Sequence, residues 1–131
     1  MEKLRNFEYL VGNGNISQKP MQPYDELICN FIGELSIELN LSPLSNKYSD
    51  IKTLAFWCRK KNIINIKKNF ISNETRLGLG LVFHITPSNI PTNFAYSLIF
   101  GLITGNSNIV KVPSQKFEQV KIICRAINKV L

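Results

Sequence analysis

Apolar and polar positions alternate with two different periods along this chain. From Asp25 onward the period is helical: Leu27, Ile28, Phe31, Leu35 and Leu39 lie three or four apart and predict one buried face. Asp25 at the start favours the helix dipole, and Ser42-Pro43 ends the pattern. A second helix is expected from Ser49-Asp50, with Ile51, Leu54, Ala55, Trp57 and Cys58 inward, followed by a stretch with Ile63, Ile64 and Ile66 running toward Phe70. Beyond a loop around Ser72-Asn73-Glu74 the pattern changes. Leu81 to Thr86 is a short, nearly continuous apolar run, as expected of a parallel strand covered on both faces. Thr92 can cap a helix bearing Ala95, Leu98, Ile99 and Leu102, and Gly105-Asn106 suits an αL stop. Asn108 to Val112 reads as a second strand. After Pro113-Ser114 a last helix turns Val120, Ile123, Cys124, Ile127 and Val130 or Leu131 inward.

These elements divide the chain into three parts. Residues 1–24 read as a short strand over Phe7 to Ser17, with a Gly12-Asn13-Gly14-Asn15 turn, and an extended linker holding Pro20 and Pro23. Residues 25–75 form a helical region, and residues 76–131 a β-α-β-α unit. The fold class is α/β, with the two strands expected to run parallel. Polar residues gather where both strands end, which is where open α/β sheets bind ligands.

Composition narrows the function classes. The 131 residues are 44% apolar, enough for one domain with a core. A net charge of +7 permits a polyanion partner, but only Arg59-Lys60-Lys61 and Lys67-Lys68 are clustered, at positions expected to be solvated helix face; no nucleic-acid role is expected. No run of 18 apolar residues suggests a membrane span, and the N-terminus lacks the apolar stretch of a signal peptide, so a cytoplasmic location is expected. Cys29, Cys58 and Cys124 lie far apart on apolar helix faces and are expected to pack in the core.

Asn89 follows the first strand in Thr86-Pro87-Ser88-Asn89-Ile90-Pro91, where two prolines stiffen the backbone. A rigid amide there can donate to a developing oxyanion, or it can close an Asx-turn on its own backbone. His84, the sole histidine, can move a proton or bond a neighbouring carbonyl within the strand. Trp57 can stack on a ligand, but its helical spacing favours core packing.

The segment Pro87-Ser88-Asn89, then Gly105-Asn106, then Lys111-Val112-Pro113-Ser114 resembles the start of the Rossmann-like cofactor-binding domain of the aldehyde dehydrogenase superfamily. There a strand ends in Pro-Trp-Asn, a helix and Gly-Asn follow, and a second strand ends in Lys-Pro-Ser-Glu. The wording Gly80-Leu-Val-Phe-His-Ile-Thr-Pro-Ser-Asn-Ile-Pro-Thr-Asn-Phe94 and the helical Leu54-Ala55-Phe56-Trp57-Cys58-Arg59-Lys60 are similar to one branch, the fatty acyl-CoA reductases of bacterial luminescence operons and their relatives. The resemblance covers roughly residues 20–131. It implies that Asn89 is the side-chain donor of the oxyanion hole as an acyl thioester becomes an aldehyde. It implies that Ile85, Thr86, Pro87 and Ser88 line the cofactor, and that Lys111, beside Pro113 and Ser114, reaches the adenosine ribose or a 2′-phosphate. Two departures matter: Ser88 replaces the tryptophan, and Ser114 replaces the acidic residue that grips the ribose hydroxyls, which tilts the cofactor toward NADP(H).

The implied substrate is a fatty acyl-CoA or an acyl-protein thioester, with an acyl-protein synthetase as an implied partner. The resemblance places the nucleophilic cysteine and the pyrophosphate loop downstream. This chain then corresponds to the N-terminal part of a larger enzyme, unable to reduce a thioester alone and, with open sheet edges, marginal in isolation. Two alternatives stay open: a fragment of another aldehyde-dehydrogenase-like oxidoreductase, and a stand-alone basic binding module.

Overall fold

In the computed structural model, which describes residues 7–70 and 73–131, the first helical period folds as α1, Glu26–Leu41. The Asp25 carboxylate caps it, accepting the Leu27 N–H at 2.9 Å and satisfying one orphan donor of the first turn. The buried face is Cys29, Ile32, Leu35, Ser36 and Leu39, whereas Leu27 is 74% exposed. The expected face was therefore rotated. α1 carries apolar residues on several sides, so period alone cannot choose among them; its neighbours do. Ser36 Oγ donates to the Ala55 carbonyl at 2.6 Å and locks α1 against α2, Ser49–Trp57. Between the two, Ser42 is extended ahead of a 3-10 turn over Pro43–Lys47, as the residue before a proline must be. The helical stretch expected toward Phe70 forms as α3, Lys60–Phe70, which buries Ile63 and leaves Ile64 on the outside.

The strand expected over Phe7 to Ser17 does not form: residues 7–22 have no strand partner. The end of the linker is instead stitched to the next unit, with Met21 N–H donating to Gly105 O at 2.9 Å, Tyr24 N–H to Ile103 O at 2.7 Å and Gly78 N–H to Met21 O at 3.0 Å. Of the expected loop, Asn73 and Glu74 are irregular, and Ser72 lies outside the described residues.

The β-α-β-α order is as expected: β1 Leu81–Ile85, α4 Asn93–Ile103, β2 Ser107–Lys111 and α5 Glu118–Val130. β1 and β2 pair in parallel, with Leu81 opposite Ser107 and Ile85 opposite Lys111. Thr92 occupies the N-cap position of α4 without a side-chain cap bond, contrary to expectation. Gly105 ends α4 in the left-handed region, φ +85°, where a side chain would also strike the Met21 carbonyl. Within α4, Gly101 faces the sheet so closely that an added Cβ would collide with the Asn108 side chain. α4 covers the sheet face bearing His84, Asn108 and Val110. The other face is open: Leu81, Phe83 and Ile85 are 40%, 59% and 75% exposed, so β1 is not covered on both sides as its apolar run implied. α5 packs instead on α1, burying Val120, Ile122, Ile123, Cys124, Ala126 and Ile127, while Leu131 stays outside. One apolar cluster runs through α1–α5.

Candidate functional site

Parallel pairing brings the carboxyl ends of β1 and β2 to one side, and with them most of the sequence-predicted site residues. Ile85 and Lys111 are register partners, and Thr86 Oγ1 donates to the Lys111 carbonyl at 3.2 Å, tying the strand ends together. The Thr86 hydroxyl is thus committed to the backbone.

Asn89 stands in the turn between β1 and α4, exposed, and its side chain makes no hydrogen bond among the described residues. The Asx-turn is not the arrangement here: the amide is held only through its backbone, between Pro87 and half-buried Pro91, and both its donors are free. Ser88 is exposed beside it. Across the strand end, Lys111 is exposed and forms no ion pair among the described residues, Pro113 is buried, and Ser114 is exposed with an unpartnered hydroxyl. A free ammonium, two free hydroxyls, an apolar Ile85 and a free amide therefore share one end of the sheet. The groups that could hold an anionic cofactor are Lys111, Ser88 and Ser114, with no carboxylate among these site residues to repel a phosphate. They form an open surface. Two open cavities lie elsewhere, one beside Tyr24 and Lys67, the other beside Gly33 and Lys60.

The sequence reading missed what holds this end in shape. Asn106 Oδ1 accepts from Leu79 N–H at 2.6 Å and Gly80 N–H at 3.3 Å, and its Nδ2 donates to Thr104 Oγ1 at 3.0 Å. Asn108 Nδ2 donates to the Asn106 carbonyl at 2.7 Å, which leaves Asn108 Oδ1 as the acceptor of His84 Nε2 at 2.8 Å. Nε2 therefore carries a hydrogen and serves as a latch between the strands. The signal was present in the sequence: Asn106 and Asn108 stand two apart at the start of β2, ahead of its apolar Ile109-Val110.

Trp57 is half-buried and packs on Tyr96, 5.9 Å between centroids, and Phe100, 5.1 Å. All three cysteines are free and buried. Burial pushes the Cys58 thiol up to about 12 and Cys124 to about 11, and Cys29, which donates to the Tyr24 carbonyl, is also raised. A nucleophilic cysteine needs the opposite shift. Among the described residues no group of three or more His, Cys, Asp or Glu could hold a metal, and no helix is long and apolar enough to cross a membrane.

A family model described as acyl-CoA reductase (LuxC) matches residues 36–130, from the middle of α1 through the end of α5. No curated protein and no solved structure matches the chain.

Proposed function

The chain belongs to the LuxC acyl-CoA reductase family, and from that membership we propose that it forms the oxyanion-binding and first cofactor-binding part of an NADP(H)-dependent fatty acyl-CoA reductase. The observation that carries this reading is the exposed Asn89 amide, with both donors unspent, at the carboxyl end of a parallel strand pair. In the proposed reaction a cysteine of another part of the enzyme takes the acyl group from its thioester, with the CoA or carrier thiol leaving. Asn89 Nδ2 donates to the carbonyl oxygen as it gains negative charge, and the turn between Pro87 and Pro91 holds that donor without reorganisation. NADP(H), when bound, supplies the hydride that turns the acyl thioester into an aldehyde. Lys111 would hold the adenosine end, its free ammonium suiting a 2′-phosphate, and Ser114 in place of a carboxylate leaves that phosphate unopposed. Ile85, Pro87 and Ser88 would line the cofactor, whereas the bond from Thr86 to the Lys111 carbonyl gives Thr86 the role of fixing the strand ends.

The raised thiol pKa values of Cys29, Cys58 and Cys124 support placing the nucleophile outside these residues. The open face of Leu81, Phe83 and Ile85 supports further parts of a Rossmann-like domain packing there, since parallel sheets are ordinarily covered on both faces. The substrate class, a long-chain acyl-CoA or acyl-protein thioester, and an acyl-protein synthetase as partner are part of the same proposal.

Asn89→Ala tests it in the enzyme that joins this chain to the nucleophile. Turnover should fall about 10²–10³-fold with cofactor affinity unchanged. Wild-type turnover in that variant would return Asn89 to a purely structural turn.

A further inference from the structure

We propose that the cavity between the linker, α3 and residues 73–76 is a second binding site, taking a small phosphate monoester. It measures about 340 Å³, within the range of small-molecule sites, and is lined by Tyr24, Lys67, Phe70, Asn73, Glu74 and Arg76, all on the chain before β1 and away from Asn89.

Three observations converge on it. Lys67 is the one residue of its basic pair that turns inward: Lys68 is exposed, but Lys67 is half-buried and its Nζ donates to the Tyr24 carbonyl at 3.2 Å. No carboxylate pairs with it among the described residues, and a neutral carbonyl leaves its charge uncompensated. Tyr24 is only 7% exposed as a residue, and its hydroxyl, which still reaches solvent, has no hydrogen-bond partner among the described residues. Its backbone sits at φ +56°, a strained conformation for a bulky residue, held by the bond from Tyr24 N–H to Ile103 O and by Lys67 and Cys29 on its carbonyl. Strain of this kind collects at ligand-holding segments. Arg76 adds a second cation, its guanidinium 5.3 Å over the Phe70 ring and paired with Glu74 at 3.3 Å.

The charges leave the cavity positive, and the two remaining lysine N–H donors, the Tyr24 hydroxyl and the Asn73 amide belong to residues that line it. A phosphate dianion can accept from all of these. The remaining wall is aromatic: Phe70 lies 5.1 Å from the Tyr24 ring, and the volume leaves room for a flat or apolar body on the phosphate.

Titration of the 131-residue chain with phenyl phosphate, inorganic phosphate and phenol, followed in ¹H–¹⁵N spectra, tests the site. Phenyl phosphate should bind saturably and shift the amides of Tyr24, Lys67, Phe70 and Asn73 to Arg76, leaving Asn89 unmoved. Lys67→Met should weaken it about tenfold or more, as loss of a charge-assisted bond does, and Tyr24→Phe roughly threefold. Arg76→Gln, at an exposed position that leaves the fold intact, should weaken it as well. Inorganic phosphate binding as tightly as the ester would identify a free phosphate as the ligand and support the same site. Phenol binding as well as phenyl phosphate, shifts elsewhere, or affinity unaltered in both Lys67→Met and Arg76→Gln would overturn it. Neither result bears on Asn89 or Lys111, which lie outside the cavity.

Discussion

In the helical half, Ile32, Leu39, Ile51, Leu54 and Ile63 are wholly excluded from solvent, whereas in the strand pair Leu81, Phe83 and Ile85 leave 40%, 59% and 75% of their surface in water. The two regions share one apolar cluster but not one state of completion. The helices α1, α2, α3 and α5 close around each other, and their polar groups are nearly all satisfied; Ser45 Oγ alone among the described residues is buried without a partner. The strand pair is covered on one face only and is held by side chains: His84, Asn106 and Asn108 latch one strand to the other where further strands or helices would ordinarily do so. The region that carries the proposed chemistry is the one whose second sheet face is open. The deepest burial lies in the helices, and Asn89 and Lys111 stand exposed at the open sheet end.

Truncation should separate the regions most strongly. Leu54→Ala removes a fully buried side chain and should cost about 2–5 kcal/mol of unfolding free energy. Phe83→Thr, on the open sheet face, should change it by less than about 0.5 kcal/mol. Chemical denaturation of the two variants measures both. Similar losses would show that the sheet face is packed in solution, and the contrast would fail.

The thiols sharpen the same contrast through pH. Burial raises the Cys58 and Cys124 thiols above the ordinary 9.0, so the unfolded chain releases their protons first. Their stability contribution is therefore complete below about pH 9 and is lost as pH rises toward about 11 for Cys124 and about 12 for Cys58, at about 1.4 kcal/mol per pH unit for each thiol. Denaturation midpoints from pH 8 to 11 should fall accordingly, and Cys58→Ala should flatten the decline. A midpoint indifferent to pH over that range would place the thiols in contact with solvent.

At the sheet end the expected effects are smaller and fall on the cofactor. In the reductase of the proposed function, Lys111→Ala should weaken NADP(H) about tenfold while leaving the chemical step near normal once cofactor saturates. Ser114→Glu should shift preference toward NAD(H), because the new carboxylate repels a 2′-phosphate and accepts from free ribose hydroxyls. Unchanged cofactor constants in both would remove these residues from the site.

Much of this arrangement was legible in the sequence where local chemistry is decisive. The two strands, the αL stop at Gly105 and the helix start at Asp25 were read from local residues; that Asp25 also caps the helix through its side chain was not. The misreadings share another cause. Leu27 was expected inside because α1 is apolar on several sides, and its packing on α2, α3 and α5, with Ser36 bonding Ala55, sets which face is buried. The strand over Phe7 to Ser17 failed for want of a partner strand, and the open face of β1 reflects what does not pack there. The placement of Ile85 and Lys111 at the ends of two parallel strands was legible from the two apolar runs. The Asn106–Asn108–His84 latch and the commitment of Thr86 to Lys111 depend on contacts across the strands that no local pattern encodes.

The central claim is that these residues supply an oxyanion and cofactor surface and leave the nucleophile to another part of the enzyme. Incubating the purified 131-residue chain with a long-chain acyl-CoA and NADPH, then recording its intact mass and the aldehyde formed, tests this directly. The account predicts an unmodified mass, no aldehyde and Cys29, Cys58 and Cys124 all free. An acyl adduct on any of the three with NADPH-dependent aldehyde release would contradict it.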